Sequence, residues 1–273
     1  MSLKGYIKEN LPWIRSIYRK RLAPINLIHN IYDKPVVVLL YHRVNHLNRD
    51  LFNINVTPDN FERHIRILKN HYNVITFNDL KRNDIKEPSV IITFDDGYYD
   101  NYKYAFPILK KYQVPATIFI TSGGVDTGKE FWWDRLETVL FENKNLRESI
   151  ELDILNQRHI FDVSDDKKRL HSFYTLHHML FSLHPNERDM MLDRWYESYG
   201  LKVNPNNRTM TSSELIELYQ SQLVTLGAHT IHHPALKQIS REEQIQEIQS
   251  SKLFLENLLH TDIDIFAYPF GHK

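Results

Sequence analysis

Short apolar runs alternate with amphipathic stretches along most of this chain, and that alternation is the strongest constraint on its fold. Residues 35–41, 73–76, 90–94, 116–120, 223–228 and 264–268 read as strands. Between them, Thr57-Pro58 opens a helix to about Asn70, and a second helix runs from about Asn101 to Tyr112. Ser240-Arg241-Glu242-Glu243 caps a third that extends to about Leu259. Strands joined through helices pair in parallel, so the fold class is α/β, either a (β/α) barrel or an open doubly wound sheet. Both architectures carry their sites at the carboxyl ends of the strands.

The alternation stops between about residues 129 and 222. Residues 150–154 and 159–163 predict a hairpin across Asn156-Gln157, and 164–183 and 186–199 predict two amphipathic helices. Thr211-Ser212-Ser213-Glu214 is a capping box for another. No linker flanks this stretch, so it reads as a mainly helical insertion on one rim of a single domain spanning 35–273. Residues 1–34 form a basic leader with apolar residues at roughly helical spacing. A helix packed on its own domain, a helix lying on an anionic membrane surface and an unordered leader are all compatible with it. The N-terminus has no signal-peptide pattern, and no apolar run reaches the roughly 18 residues of a membrane span. The expectation is cytoplasmic residence; the membrane-surface alternative would add peripheral contact at the inner face of the membrane through the N-terminal helix.

Lys+Arg and Asp+Glu are both 34, so the formal charge is zero and nothing points to nucleic acid. The chain contains no Cys, which excludes thiolate metal sites, thiol nucleophiles and disulfides. Any metal must be held by nitrogen and oxygen. Two elements supply them. Thr93-Phe94-Asp95-Asp96-Gly97 ends an apolar strand in paired carboxylates, and His229-Thr230-Ile231-His232-His233-Pro234 follows another strand. Adjacent carboxylates at a strand end are costly to bury unless paired or metal-bound, although a capped strand-to-helix turn would also use them. Histidines four apart can reach one ion. With 15 His in the chain such a pair also arises by chance, and His42 and His46 form another. Taken together, the two elements favour a metal site.

These motifs resemble the first two of the polysaccharide deacetylases, the NodB-homology group or carbohydrate esterase family 4. Phe266-Ala267-Tyr268-Pro269-Phe270-Gly271 resembles the third. Tyr41-His42-Arg43-Val44 resembles a first-strand segment of the subgroup that includes poly-N-acetylglucosamine deacetylases. The resemblance implies a deformed (β/α) barrel of NodB type. It makes Asp96, His229 and His233 ligands of a divalent metal, Zn2+ first, and Asp95 the general base. Three protein ligands leave room for a water, whose pKa such an ion lowers to about 7. By the same resemblance, the backbone N–H of Phe270 helps hold the oxyanion formed at an acetamide carbonyl. The implied partner is an N-acetylated glycan or its lipid- or nucleotide-linked precursor, which loses its N-acetyl group. A deformylase or amidase on a small molecule, and a glycan-binding homologue with impaired catalysis, are the alternatives.

Two departures stand out. Ala267 takes the place of an arginine that orients the aspartate in many members, for which Arg43 or Lys273 could substitute. The family's leucine-x-histidine motif, source of the acid, would lie beyond residue 273. The barrel is therefore expected to be incomplete or to be completed by the insertion, with His42 the best candidate acid and otherwise a bystander near the metal. Trp132 and Trp133 open the insertion after a strand end, as core packing or as the wall of a sugar groove. Tyr268 is a further substrate-binding candidate.

Overall fold

The computed structural model describes residues 36–271 apart from 83, 84, 86, 155 and 156. The leader, the hairpin turn at Asn156 and Lys273 lie outside the described residues. In chain order the elements are β1 (Val36–Tyr41), β2 (Arg43–Val44), β3 (Asn55–Val56), α1 (Pro58–His71), β4 (Asn73–Val74), α2 (Phe77–Lys81), β5 (Ser89–Phe94), α3 (Phe106–Tyr112), β6 (Ala116–Ile120), α4 (Trp132–Glu137), β7 (Ser149–Ile154), β8 (Gln157–Asp162), α5 (Asp166–Phe181), α6 (Pro185–Tyr199), α7 (Ser212–Gln220), β9 (Val224–Ala228) and α8 (Arg241–Leu259).

The central sheet is parallel, in the order β1-β5-β6-β9, with β4 paired to the start of β5 and β6 to its end. β5 and β6 are buried along their whole length, which is why their sequences are near-continuous apolar runs, broken only by the small polar residues Ser89, Thr93 and Thr117. Phe61, Ile65 and Leu68 of α1, Leu109 of α3, Leu215 and Leu218 of α7 and Leu255 of α8 close over the strands to make one core. This is the deformed (β/α) barrel. Its helices start where the sequence places caps. Thr57 Oγ1 accepts from the Asn60 N–H ahead of α1, with Pro58 in the first turn. Reciprocal capping boxes open α7 (Thr211 and Glu214) and α8 (Ser240 and Glu243).

Around a second core, Phe131, Trp133, Leu136, Phe173, Leu176, Leu192 and Trp195 bring together α4, α5 and α6. The antiparallel pair β7–β8 packs on it through Ile150, Ile154 and Phe161. Tyr98 and Phe270 belong to this cluster too, so the irregular stretch packs directly against the rim of the barrel.

The structure departs from the sequence reading in three places. The strand expected over 264–268 is a single bridge, Ala228 to Phe266, because Pro269 has no N–H with which to continue a ladder. The helix expected over 101–112 begins as a π-helical turn, Asn101–Ala105, before α3. Pro107 cannot donate to the preceding turn, which breaks a continuous α-helix there. The parallel pair β2–β3 is two residues long, too short to produce a period in the sequence. Among the described residues no helix is long and apolar enough to cross a membrane.

Candidate metal centre and active site

Asp95 and Asp96 follow β5 directly, and the Asp95 N–H donates to the Tyr41 carbonyl of β1 (3.0 Å), extending the β1–β5 ladder by one rung. His229 follows β9 in the same way, donating its N–H to the Ile120 carbonyl of β6 (3.0 Å). Four strand ends, of β1, β5, β6 and β9, therefore fix the positions of the carboxylates and the first imidazole. The loop from Thr230 to His233 is held against the loop after β6 by Ser122 N–H to Thr230 O (3.1 Å) and Gly123 N–H to Ile231 O (2.9 Å). From the other side Glu247 of α8 ties it down. One Glu247 oxygen accepts from the Ile231 and His232 N–H groups (2.8 and 2.9 Å), and the other lies 2.7 Å from His232 Nδ1.

These restraints converge on one point. A single ligand atom from each of Asp96, His229 and His233 can be chosen so that all lie within 4.8 Å of one another, and all three residues are buried. Asp96 Oδ1 is 3.2 Å from His233 Nε2 and 3.5 Å from His229 Nε2, yet it forms a well-aimed hydrogen bond with neither. Buried carboxylate oxygens are rarely left that way. Tetrahedral ligands at about 2.0–2.1 Å from zinc sit about 3.4 Å apart. The spacing fits three donors aimed at a shared cation. His229 Nδ1 meets the Ala267 carbonyl at 2.9 Å, which turns Nε2 toward Asp96. Since that partner is a backbone group, this contact does not depend on which side chain residue 267 carries.

The electrostatics separate the two carboxylates. Burial opposes charge on Asp96, but the His229 and His233 imidazoles outweigh it and hold this carboxyl far below the usual range. Burial raises Asp95, with His229 opposing. Full burial pushes His233 down, toward the neutral form a metal takes, despite Asp96.

A cavity of about 200 Å³ opens over these groups, lined by His42, Phe52, Ile54, Asp95, Asp96, Trp133, His177, His229, His233 and Phe270. The Phe270 ring stands edge-on to His233 at 4.5 Å. Of the residues singled out in the sequence, Asp95, Asp96, His42, His229, His233, Trp133 and Phe270 come together here. Two do not. Tyr268 is 68% exposed and packs on Phe266, since residues two apart in an extended segment share a face. Trp132 faces away from the cavity, stacked between His177 (4.6 Å) and the Arg188 guanidinium (4.7 Å). Arg43 does not stand in for the missing arginine: its Nε donates to Asp100 (2.8 Å) and one terminal nitrogen to Asn207 (2.9 Å).

Arg43 belongs instead to a buried network that the sequence reading missed. It faces Asp134, which accepts from the Tyr98 hydroxyl (2.8 Å), and that hydroxyl in turn accepts from Trp133 Nε1 (2.7 Å). The chain of bonds fixes the indole that walls the cavity. Glu247 and His177 were also missed. Glu247 carried a signal, since Glu247, Ser251, Leu255 and Leu259 recur every four residues as the buried stripe of α8. A carboxylate at the head of such a stripe implies a specific partner. His177 had none, because the approach of α5 to the barrel rim is a tertiary event.

A deformed (β/α) barrel with two carboxylates and two imidazoles at its strand ends, three of them close enough together to hold one metal ion, defines the class of fold. Within that class, a polysaccharide deacetylase family profile matches residues 82–145 and 190–273. This chain belongs to the polysaccharide deacetylase family. It is similar to the Staphylococcus aureus poly-beta-1,6-N-acetyl-D-glucosamine N-deacetylase, at 36% identity over 110 residues, 34% of this chain and 38% of that protein. A Bacillus subtilis relative, YxkH, is 42% identical over 96 residues, 32% of this chain and 33% of the relative. The matched stretches thus span little more than a third of these relatives. Among solved structures, IcaB from Ammonifex degensii superposes with a TM-score of 0.54 at 18% identity, covering 88% of this chain and 76% of that one. A Bacillus cereus polysaccharide deacetylase gives 0.54 at 20% identity, covering 87% and 52%. These two likenesses establish the fold.

Proposed function

We propose that this chain removes the N-acetyl group from an amino sugar in a glycan or its lipid- or nucleotide-linked precursor, with a divalent cation, Zn2+ first, held by Asp96, His229 and His233. The observation that carries the proposal is the orphaned Asp96 Oδ1 lying 3.2 and 3.5 Å from two imidazole nitrogens. When bound, the cation supplies Lewis-acid polarisation of the acetamide carbonyl and a more acidic water.

The remaining work falls to the chain's own groups. Asp95 is left outside the ligand set and borders the cavity, where it takes up the proton of the attacking water. Trp133 and Phe270 offer apolar faces to the sugar ring, and the Phe270 N–H is assigned to the developing oxyanion. His42 lines the same cavity and is assigned the return of a proton to the departing amine. The 36% identity to a poly-N-acetylglucosamine deacetylase supports a glycan acceptor.

The test is acetate release from β-1,6-linked N-acetylglucosamine oligomers, read with metal content. Chelation should abolish it and zinc restore it. Asp95→Asn should lose roughly 10²–10⁴-fold in rate while still binding zinc, and Asp96→Ala should lose both. Acetate release that resists chelation or survives Asp96→Ala refutes the proposal. Turnover of N-formyl sugars alone would favour the deformylase reading. Oligosaccharide binding without turnover would favour a binding homologue.

A further inference from the structure

α5 contributes one side chain to the lining of the cavity, a polar group with no part in the chemistry above. Phe173, His177 and Phe181 recur every four residues and form a single stripe on that helix. Phe181 packs edge-on against Phe270 at 4.8 Å, which links the stripe to the turn over His233. His177 sits in the middle of the stripe. Its ring stacks on Trp132 (4.6 Å, 27°) and packs on Phe52 (5.0 Å), and it lines the cavity together with Asp95 and Trp133. Neither ring nitrogen has a hydrogen-bonding partner among the described residues, and neither is sealed from solvent. Packing alone would be served as well by a third phenylalanine. A histidine that is only structural normally spends its nitrogens on protein groups.

We propose that His177 is a substrate-contacting residue that hydrogen-bonds a ring hydroxyl of the N-acetylated sugar, so that the segment between β6 and β9 helps to select the substrate. This rests on the deacetylase reading of the site. Burial, and after it the charge of Arg188, push the His177 imidazole down to about 4. It is therefore neutral near pH 7, with one nitrogen donating and the other accepting, which complements a hydroxyl that does both. The same depression makes it a poor proton donor to a leaving amine. Beside the aromatic faces of Phe52, Trp133 and Phe270, a placed polar group outside the proposed ligands and proton carriers sets orientation and specificity.

The test compares His177→Phe and His177→Gln with the parent on N-acetylglucosamine oligomers and on oligomers lacking single ring hydroxyls. Phenylalanine keeps the stack and removes both nitrogens, and glutamine keeps a donor and an acceptor. His177→Phe should keep parental zinc binding and kcat within about twofold, with KM raised roughly tenfold, and His177→Gln should recover part of the loss. One deoxy substrate should be penalised in the parent and not in His177→Phe. Parental KM in His177→Phe, or a fall in kcat at constant KM, would overturn the proposal. Should neither variant fold, parental KM for every deoxy substrate would overturn it just as well. If the parent releases no acetate, the deacetylase reading itself has failed, and the same comparisons are read as oligosaccharide Kd.

Discussion

Gly123 lies on no catalytic motif, yet one added methyl there should disturb the proposed metal centre. A Cβ at this position would stand 2.6 Å from the Ile231 carbonyl oxygen and 2.9 Å from Ile231 Cγ2. An ordinary carbon–oxygen contact is about 3.3 Å, so the loop from Thr230 to His233 must retreat by about 0.7 Å. The contact is with backbone, so no side-chain rotation relieves it. Overpacking of this kind costs about 1–3 kcal/mol. The Gly123 N–H to Ile231 O bond weakens as well, adding about 0.5–1.5 kcal/mol. For a domain of this size Gly123→Ala should lower Tm by about 3–18 °C. Metal sites tolerate errors of only about 0.2 Å in ligand distance, so zinc affinity should fall by about 10–100-fold, as when supporting partners of a ligand are lost. The assay is a thermal melt paired with zinc competition against a chromophoric chelator. Parental Tm together with parental affinity would show that the two loops are not packed as described.

Tyr98→Phe takes one of its partners from buried Asp134, which keeps Arg43, and strands the Trp133 indole N–H in the interior; it should cost about 3–5 kcal/mol in denaturant unfolding, and a loss below 1 kcal/mol would remove the network's role in fixing Trp133. Burial raises Glu137 to about 7 despite the nearby Arg49. The folded chain thus keeps a proton there that the unfolded chain has already released, and this contribution to stability is lost as pH rises from about 4.5 through 7. Glu137→Gln should match the parent near pH 4 and exceed it at pH 8, and parallel stability–pH curves for the two would contradict the assignment. Thr230→Gly removes a β-branched residue at φ +66° and also the hydroxyl that accepts from the His233 N–H (3.1 Å). The two effects should cancel in stability to within about 1 kcal/mol, while zinc affinity drops because His233 loses its aim. Unchanged affinity would refute that role.

The barrel strands, and the meeting of paired carboxylates with two imidazoles at one rim, were legible because both rest on local pattern; the choice of Asp96, His229 and His233 as a ligand set came only from the family resemblance. A strand buried on both faces leaves a near-continuous apolar run, as in β5 and β6, and a carboxylate or imidazole placed just past it must lie at the rim. What the sequence concealed is how the loops close. His233 precedes Pro234, a position biased toward extended backbone, yet its φ is +52°. Asp96 (+76°), Thr230 (+66°) and Phe270 (+59°) are left-handed too, and none is glycine. Such conformations cost about 1–3 kcal/mol each and persist only where surrounding structure over-determines them. Here it does: Glu247 pins two N–H groups of the His loop, Thr121 donates to the Asp96 carbonyl (3.3 Å), and Phe270 is wedged between His233 and Phe181. Each restraint comes from an element distant in sequence, and none leaves a periodic trace. Strain concentrated on two of the three proposed ligands, on the residue between His229 and Ile231 and on the aromatic lid is hard to explain by folding alone, since relaxed turns could join the same strands. It is accounted for if the loops were shaped to bring Asp96, His229 and His233 to one point.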